Sequence, residues 1–102
     1  MKHLVIAEPA VRDLEAIVDY IALDNPDAAE NVYRGLVRAA ERLPEFSAAG
    51  RPGRHTETRE LSVSGLPYLI VYEVSAEAVT ILAVFHTSRD LARAFLDRMQ
   101  GS

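Results

Sequence analysis

Residues 66–90 read LPYLIVYEVSAEAVTILAVFHTSRD. Two apolar runs, Tyr68–Val74 and Val79–His86, flank the short polar turn Ser75-Ala76-Glu77. Each run suits a β-strand, and the turn suits an antiparallel hairpin. Alternate strand residues face opposite sides of a sheet. Tyr68, Ile70, Tyr72 and Val74 therefore oppose Leu69, Val71 and Glu73, and Val79, Ile81, Ala83 and Phe85 oppose Thr80, Leu82, Val84 and His86. Both strands are apolar on both faces, so the sheet needs cover on each side. That requirement limits the architectures open to the chain more than any other feature of the sequence.

One cover is written earlier in the chain. Residues 2–7 (KHLVIA) read as an opening strand, ended by Glu8 and Pro9. From there Val11, Leu14, Ile17, Val18 and Ile21 recur at helical steps up to Leu23, with Arg12, Asp13, Glu15 and Asp19 on the other face. Asn25 is a good N-cap, Pro26 a good first helical residue, and Asp27 complements the helix dipole. A second helix is expected from Pro26 to Leu43 on the stripe Ala29, Val32, Tyr33, Leu36, Ala40 and Leu43, stopped by Pro44. Gly35 costs it about 1 kcal/mol relative to alanine. It marks either close helix approach or a tolerated surface glycine. So short a connection makes the two helices an antiparallel hairpin.

Residues 44–55 form a loop by composition, and Thr56–Val63 alternates as a half-buried strand, with Arg59, Leu61 and Val63 on one face and Thr58, Glu60 and Ser62 on the other. Thr87 or Ser88 can cap a last helix, from Arg89 to Met99, with Leu91, Ala92, Phe95, Leu96 and Met99 as apolar positions. The order is β-α-α-β-β-β-α. It predicts an α+β fold over residues 1–102 as one domain: an antiparallel helix hairpin on one face of a mostly antiparallel four-stranded sheet, with a short C-terminal helix. Two helices between the first and second strands bring the chain back antiparallel. The hairpin covers one face. Leu69, Val71, Leu82 and Val84 on the other need either the C-terminal helix, through Leu91, Phe95 and Leu96, or a protein partner.

The chain has no cysteine, no apolar run long enough for a membrane span and no signal-peptide pattern, so a cytoplasmic location is the expectation. Its formal charge of −4 argues against a nucleic-acid binder. All of that excess lies in residues 1–50; residues 51–102 are neutral, with Arg51, Arg54 and Arg59 as a basic cluster read as solvated loop. Prolines in Gly50-Arg51-Pro52-Gly53-Arg54 exclude a phosphate-cradling loop, and His3, His55 and His86 are too scattered for a metal site, so no metal or cofactor is expected. Ser88 beside His86 reads as a helix cap ahead of a nucleophile. His86 and Arg89 could serve a phosphodiester as acid–base and charge stabiliser; the plainer reading is a strand end and an ion pair.

Taken in order, AVRDLEAIVDYIALDNPDAAENV, GRPG with TRELSV, PYLIVYEV and ILAVFHTSRD resemble the ParE branch of the RelE/ParE toxin superfamily, from about Ile6 to Asp90. The resemblance implies a type II toxin that inhibits DNA gyrase by binding and forms a hetero-oligomer with a cognate antitoxin. The antitoxin's tail would lie on the apolar face and along the helix hairpin, so Leu69, Val71, Leu82, Val84, His86 and Arg89 are the candidate antitoxin or target contacts. The alternatives are a ribosome-dependent messenger-RNA endoribonuclease of the RelE type, using Arg59, His86 and Arg89, and an inactive toxin-like binding protein. Where the ribonuclease branch has an arginine two residues before a Val-Tyr pair, this chain has Leu69.

Overall fold

The computed structural model describes residues 1–101; Ser102 and the side chain of Met99 lie outside that description, and with it the expectation that Met99 is an apolar helix position. The elements are β1 (His3–Ile6), α1 (Glu8–Ala22), α2 (Pro26–Arg42), β2 (Arg51–Pro52), β3 (Thr58–Ser62), β4 (Tyr68–Val74), β5 (Ala78–His86) and α3 (Leu91–Gly101). Local chemistry sets the helix starts as expected. Pro9 lies in the first turn of α1, and Asn25 caps α2 by accepting from the Ala28 N–H at 3.0 Å.

The strands form one five-stranded sheet in the order β1-β5-β4-β3-β2. The meander β3–β4–β5 is antiparallel, while β1 pairs in parallel with β5, His3 opposite Ala78 and Ile6 opposite Ile81. Hence β1 and β3 point the same way, against the antiparallel expectation. The parity argument holds for a strand the sequence hid. Arg51–Pro52, inside the expected loop, forms β2 and pairs antiparallel with β3. It takes the return pass, so the chain must reverse once more to enter β3.

A second departure shapes everything downstream. Tyr72 pairs with Ile81 and Val71 with Ala83, which leaves Leu82 unmatched in a β-bulge. One extra residue inverts the facing of all that follows it on the strand. Val79 and Ile81 face the helix hairpin, and beyond the bulge so does Val84, only 4% exposed. Ala83 and Phe85 turn to the second face. The placement of Val84 on the second face and of Ala83 and Phe85 on the first is therefore corrected, and Leu82 is half-buried at the bulge itself.

The sheet thus has a core on each side. The larger unites Leu36 and Ala40 of α2, its C-cap Leu43 and Ala10 of α1 with Ile70, Tyr72, Val79 and Ile81. The smaller joins Leu69, Val71, Ala83 and Phe85 to Ala94, with Leu91 and Phe95 packed against it. Each large side chain sealed here contributes roughly 1.5–3 kcal/mol against exposure. The C-terminal helix is the second cover, but Ala94 takes the inward position and Leu96 points outward, half-exposed. Its cap is neither Thr87 nor Ser88. Asp90 Oδ1 accepts from the Arg93 N–H at 3.1 Å, and the helix starts at Leu91. Gly35 serves the turn before β4: a Cβ there would stand 2.8 Å from Leu66 Cδ1.

Candidate functional site

The sheet residues that could form a nuclease site are dispersed. Arg59 lies opposite Tyr72, and His86 opposite Tyr68. Tyr68 and Tyr72 are four residues apart on β4, roughly 13 Å at strand rise. The Arg59 guanidinium is held by the loop after α2, donating from Nε to the Gly50 carbonyl at 2.9 Å and from Nη2 to the Ala48 carbonyl at 3.2 Å. Tyr72 anchors the same loop: its hydroxyl accepts from the Gly50 N–H at 2.8 Å and donates to the Ser47 carbonyl at 2.9 Å. Arg59 therefore orders a loop instead of facing His86.

His86 packs edge-on against Tyr68, ring centroids 5.2 Å apart. Its Nδ1 accepts from the Ser88 N–H at 3.0 Å and lies 2.7 Å from Ser88 Oγ. A backbone N–H can only donate, so Nδ1 is bare and the proton of the neutral ring sits on Nε2. Ser88 serves this histidine, correcting its reading as a helix cap. Arg89 is exposed, its guanidinium 5.5 Å from the Phe85 ring centre. Burial pushes the Tyr68 phenol above its ordinary pKa.

The basic cluster is largely exposed, yet two of its arginines are paired. Glu60 is buried, its side chain only 1% exposed, and Arg51 and Arg54 hold it. The Arg54 N–H donates to Glu60 Oε2 at 2.8 Å, Arg51 Nη2 reaches Oε1 at 3.4 Å, and the Arg54 guanidinium lies over Phe95 of α3. Alternation had put Glu60 on the polar face of its strand; that face is the one α3 helps to close.

Asp13, placed by periodicity on the solvent side of α1, is a second missed residue. Its carboxylate takes two bonds from Arg98 Nη2, at 2.7 and 2.8 Å, and one from the Val84 N–H at 3.0 Å. Arg98 Nη1 donates to the Leu82 carbonyl at 2.9 Å. β1 ends at Ile6, opposite Ile81, so past that point β5 has an open edge. Asp13 and Arg98 satisfy the backbone groups of that edge at the bulge, and tie α1 to α3.

The candidate contact set is consequently not an open surface. Leu69 and Val71 are 1% and 2% exposed beneath α3, and Val84 is buried under the hairpin. Leu82 and His86 are half-buried, and Arg89 alone is exposed. A broad concavity lies elsewhere, a groove of about 860 Å³ between the second half of α2, the loop after it and β3. Among the described residues there is no group of three side chains that could hold a metal ion and no helix long and apolar enough to cross a membrane.

The ParE toxin family, described as the ParE toxin of the type II toxin–antitoxin system parDE, matches residues 4–91. The chain belongs to the ParE toxin family. It is 46% identical over 77 residues to the protein named Putative toxin Y4kP of Sinorhizobium fredii, covering 76% of this chain and 79% of that one. It is 38% identical to Toxin RelE2 of Caulobacter vibrioides, over 87% of this chain and 99% of the other. The fold is shared with a chain of the chromosomal ParDE system of P. aeruginosa, at TM-score 0.81, 24% identity and 86% and 98% coverage. It is shared more loosely with the isolated E. coli RelE toxin, at TM-score 0.53, 19% identity and 97% and 99% coverage. Membership of a toxin–antitoxin family implies an antitoxin as the partner of this ParE-family toxin.

Proposed function

We propose that this ParE-family toxin acts by binding DNA gyrase, without covalent chemistry of its own, and that its cognate antitoxin neutralises it in a cytoplasmic hetero-oligomer. The observation that carries the reading is the fate of the nuclease candidates. Position 69 is a leucine sealed under α3, and Arg59 is bound to the Gly50 and Ala48 carbonyls, roughly 13 Å of strand from His86. A group that stabilises a phosphoryl transition state must come within about 3 Å of the developing charge, and losing one such donor costs about 10²–10³ in rate. Purified toxin is expected to inhibit supercoiling by gyrase and to accumulate cleaved DNA. Unchanged supercoiling with no trapped cleavage removes gyrase as the target.

A second reading keeps an endoribonuclease. It is favoured by the likeness to a protein named RelE2 and by an exposed Arg89 three residues past a histidine with a bare Nδ1. Primer extension on messenger RNA after induction discriminates the two. New cuts lost in His86→Ala support the ribonuclease; an unchanged pattern removes it.

A further inference from the structure

The chain has three histidines, and their rings are held differently. His3 is exposed on β1, where water solvates either form of the ring. The exposed His55 sets its Nδ1 3.2 Å from the Thr56 carbonyl, which can only accept. That nitrogen therefore donates, and its bond survives protonation of the ring. His86 is the reverse case. Its Nδ1 accepts the Ser88 N–H at 3.0 Å and lies 2.7 Å from the Ser88 hydroxyl. A second proton on this ring has to go on Nδ1, where it meets an N–H that cannot become an acceptor. Histidine is the side chain that ordinarily changes charge between about pH 5 and 8. His86 is also the residue at which α3 is joined to the sheet. In the turn that follows, the Thr87 N–H donates to the Pro67 carbonyl at 2.9 Å and the Arg89 N–H to the His86 carbonyl at 3.1 Å. Asp90 then caps the helix. The titratable or charged groups about the ring are Tyr68 of β4, set edge-on to it, and Arg89 and Asp90 of the turn. Arg89 lies by Phe85 and Asp90 is occupied by the cap, so among the described residues no carboxylate pairs with the ring to favour its charge.

We propose that His86 is a proton-sensitive latch for α3. With the ring neutral, Nδ1 holds the Ser88 N–H, the turn is closed and α3 is seated over Leu69, Val71, Ala83 and Phe85. Protonation sets one N–H against another, the Ser88 bond is lost, and the turn Thr87-Ser88-Arg89-Asp90 is freed at its first residues. The helix then leaves the sheet more often. Linkage gives the sign: the seated helix binds the unprotonated ring, so acid favours the released form and base the seated one. The latch belongs to the fold and depends on neither the gyrase nor the ribonuclease reading.

The test follows native-state amide exchange in the full-length, isotope-labelled protein between about pH 8 and about pH 5.5, each rate divided by its intrinsic value at that pH. Stopping there keeps clear of the ordinary carboxylate range. Opening of α3, read at Phe95 and Leu96, is expected to rise about fivefold toward acid, the ratio that one net hydrogen bond is worth, while Leu36 of α2 keeps its protection. In His86→Asn the side-chain oxygen accepts the same N–H as an Asx turn and gains no proton, so the pH dependence disappears with α3 still seated. His86→Phe keeps a ring against Tyr68 without an acceptor, and α3 is loose at every pH. His3→Gln/His55→Gln retains the native response. Thermal unfolding near pH 8 verifies the folds of the variants. Ring-nitrogen shifts of the native protein give a check that needs no variant: near pH 8, Nδ1 of His86 is bare and Nε2 carries the proton. The opposite tautomer, equal α3 protection at both ends of the range, or an acid response retained in His86→Asn overturns the proposal. So does a response lost in His3→Gln/His55→Gln.

Discussion

Replacing Asp13 by alanine tests whether the bulge in β5 depends on a side chain from another layer. The Asp13 carboxylate is the acceptor for the Val84 N–H, on an edge that β1 does not reach. Truncation leaves that donor without a partner, at about 1–3 kcal/mol. The ion pair to Arg98 is partly solvated, its side chains 18% and 30% exposed, so its loss adds only about 0.5–1 kcal/mol. The expected destabilisation is about 2–4 kcal/mol. In a domain of this size each kcal/mol is roughly 4–8 °C, so a mid-range loss lowers Tm by about 12–24 °C. Asp13→Asn keeps an oxygen for Val84 and gives up the charge, so about 1 kcal/mol is expected. Urea denaturation with a constant m-value measures both. An alanine variant that loses less than about 1 kcal/mol, or an asparagine variant that loses as much as alanine, refutes the account. If the two residues act as one clamp, removing Asp13 from an Arg98→Ala background costs less than removing it from the native protein.

Two further outcomes follow from polar groups inside the sheet. Tyr72→Phe strips the Gly50 N–H and the Ser47 carbonyl of their shared partner; a loss of about 1–3 kcal/mol is expected, with faster amide exchange at Gly50, and native protection there would count against the loop anchor. The raised pKa of Tyr68 gives a pH dependence of known sign. The unfolded chain releases the phenolic proton near pH 10 while the folded one retains it, so the stability is whole below that pH and is lost as pH rises through the folded value. Tyr68→Phe should flatten the alkaline fall in stability, and an unaltered slope shows that Tyr68 is not its source.

The helices, the Asn25 cap and the hairpin were legible because a 3.6-residue stripe and a capping side chain are local signals. The helix that closes the second face was legible as one of two options. The bulge was not, because TILAVFH is apolar at nearly every position, and alternation carries no information where both faces are apolar. Two residues, Arg51 and Pro52, are too few for any periodicity, so β2 passed for loop and the direction of β3 with it. The arginines were misread for a different reason. Composition counts charges without their partners, and the partner of Arg98 lies 85 residues away.

The misread bulge bears on where a partner can bind. The extra residue at Leu82 lets a single strand give Val79, Ile81 and Val84 to the hairpin and Ala83 and Phe85 to α3. Phe85 then meets Phe95 edge-on at 5.3 Å between ring centroids, with the guanidiniums of Arg89 and Arg98 near its ring, and the helix is seated. With strict alternation Phe85 would have pointed into the hairpin and α3 would have lost its principal aromatic contact. The apolar second face would then have lacked that cover, the partner-covered one of the two options the sequence left open. Because it is closed by the chain itself, a partner that binds this conformation does not meet Leu69 or Val71 directly. A groove beside α2 remains, and its walls come from the flank of α2, the Tyr72-anchored loop and the start of the meander.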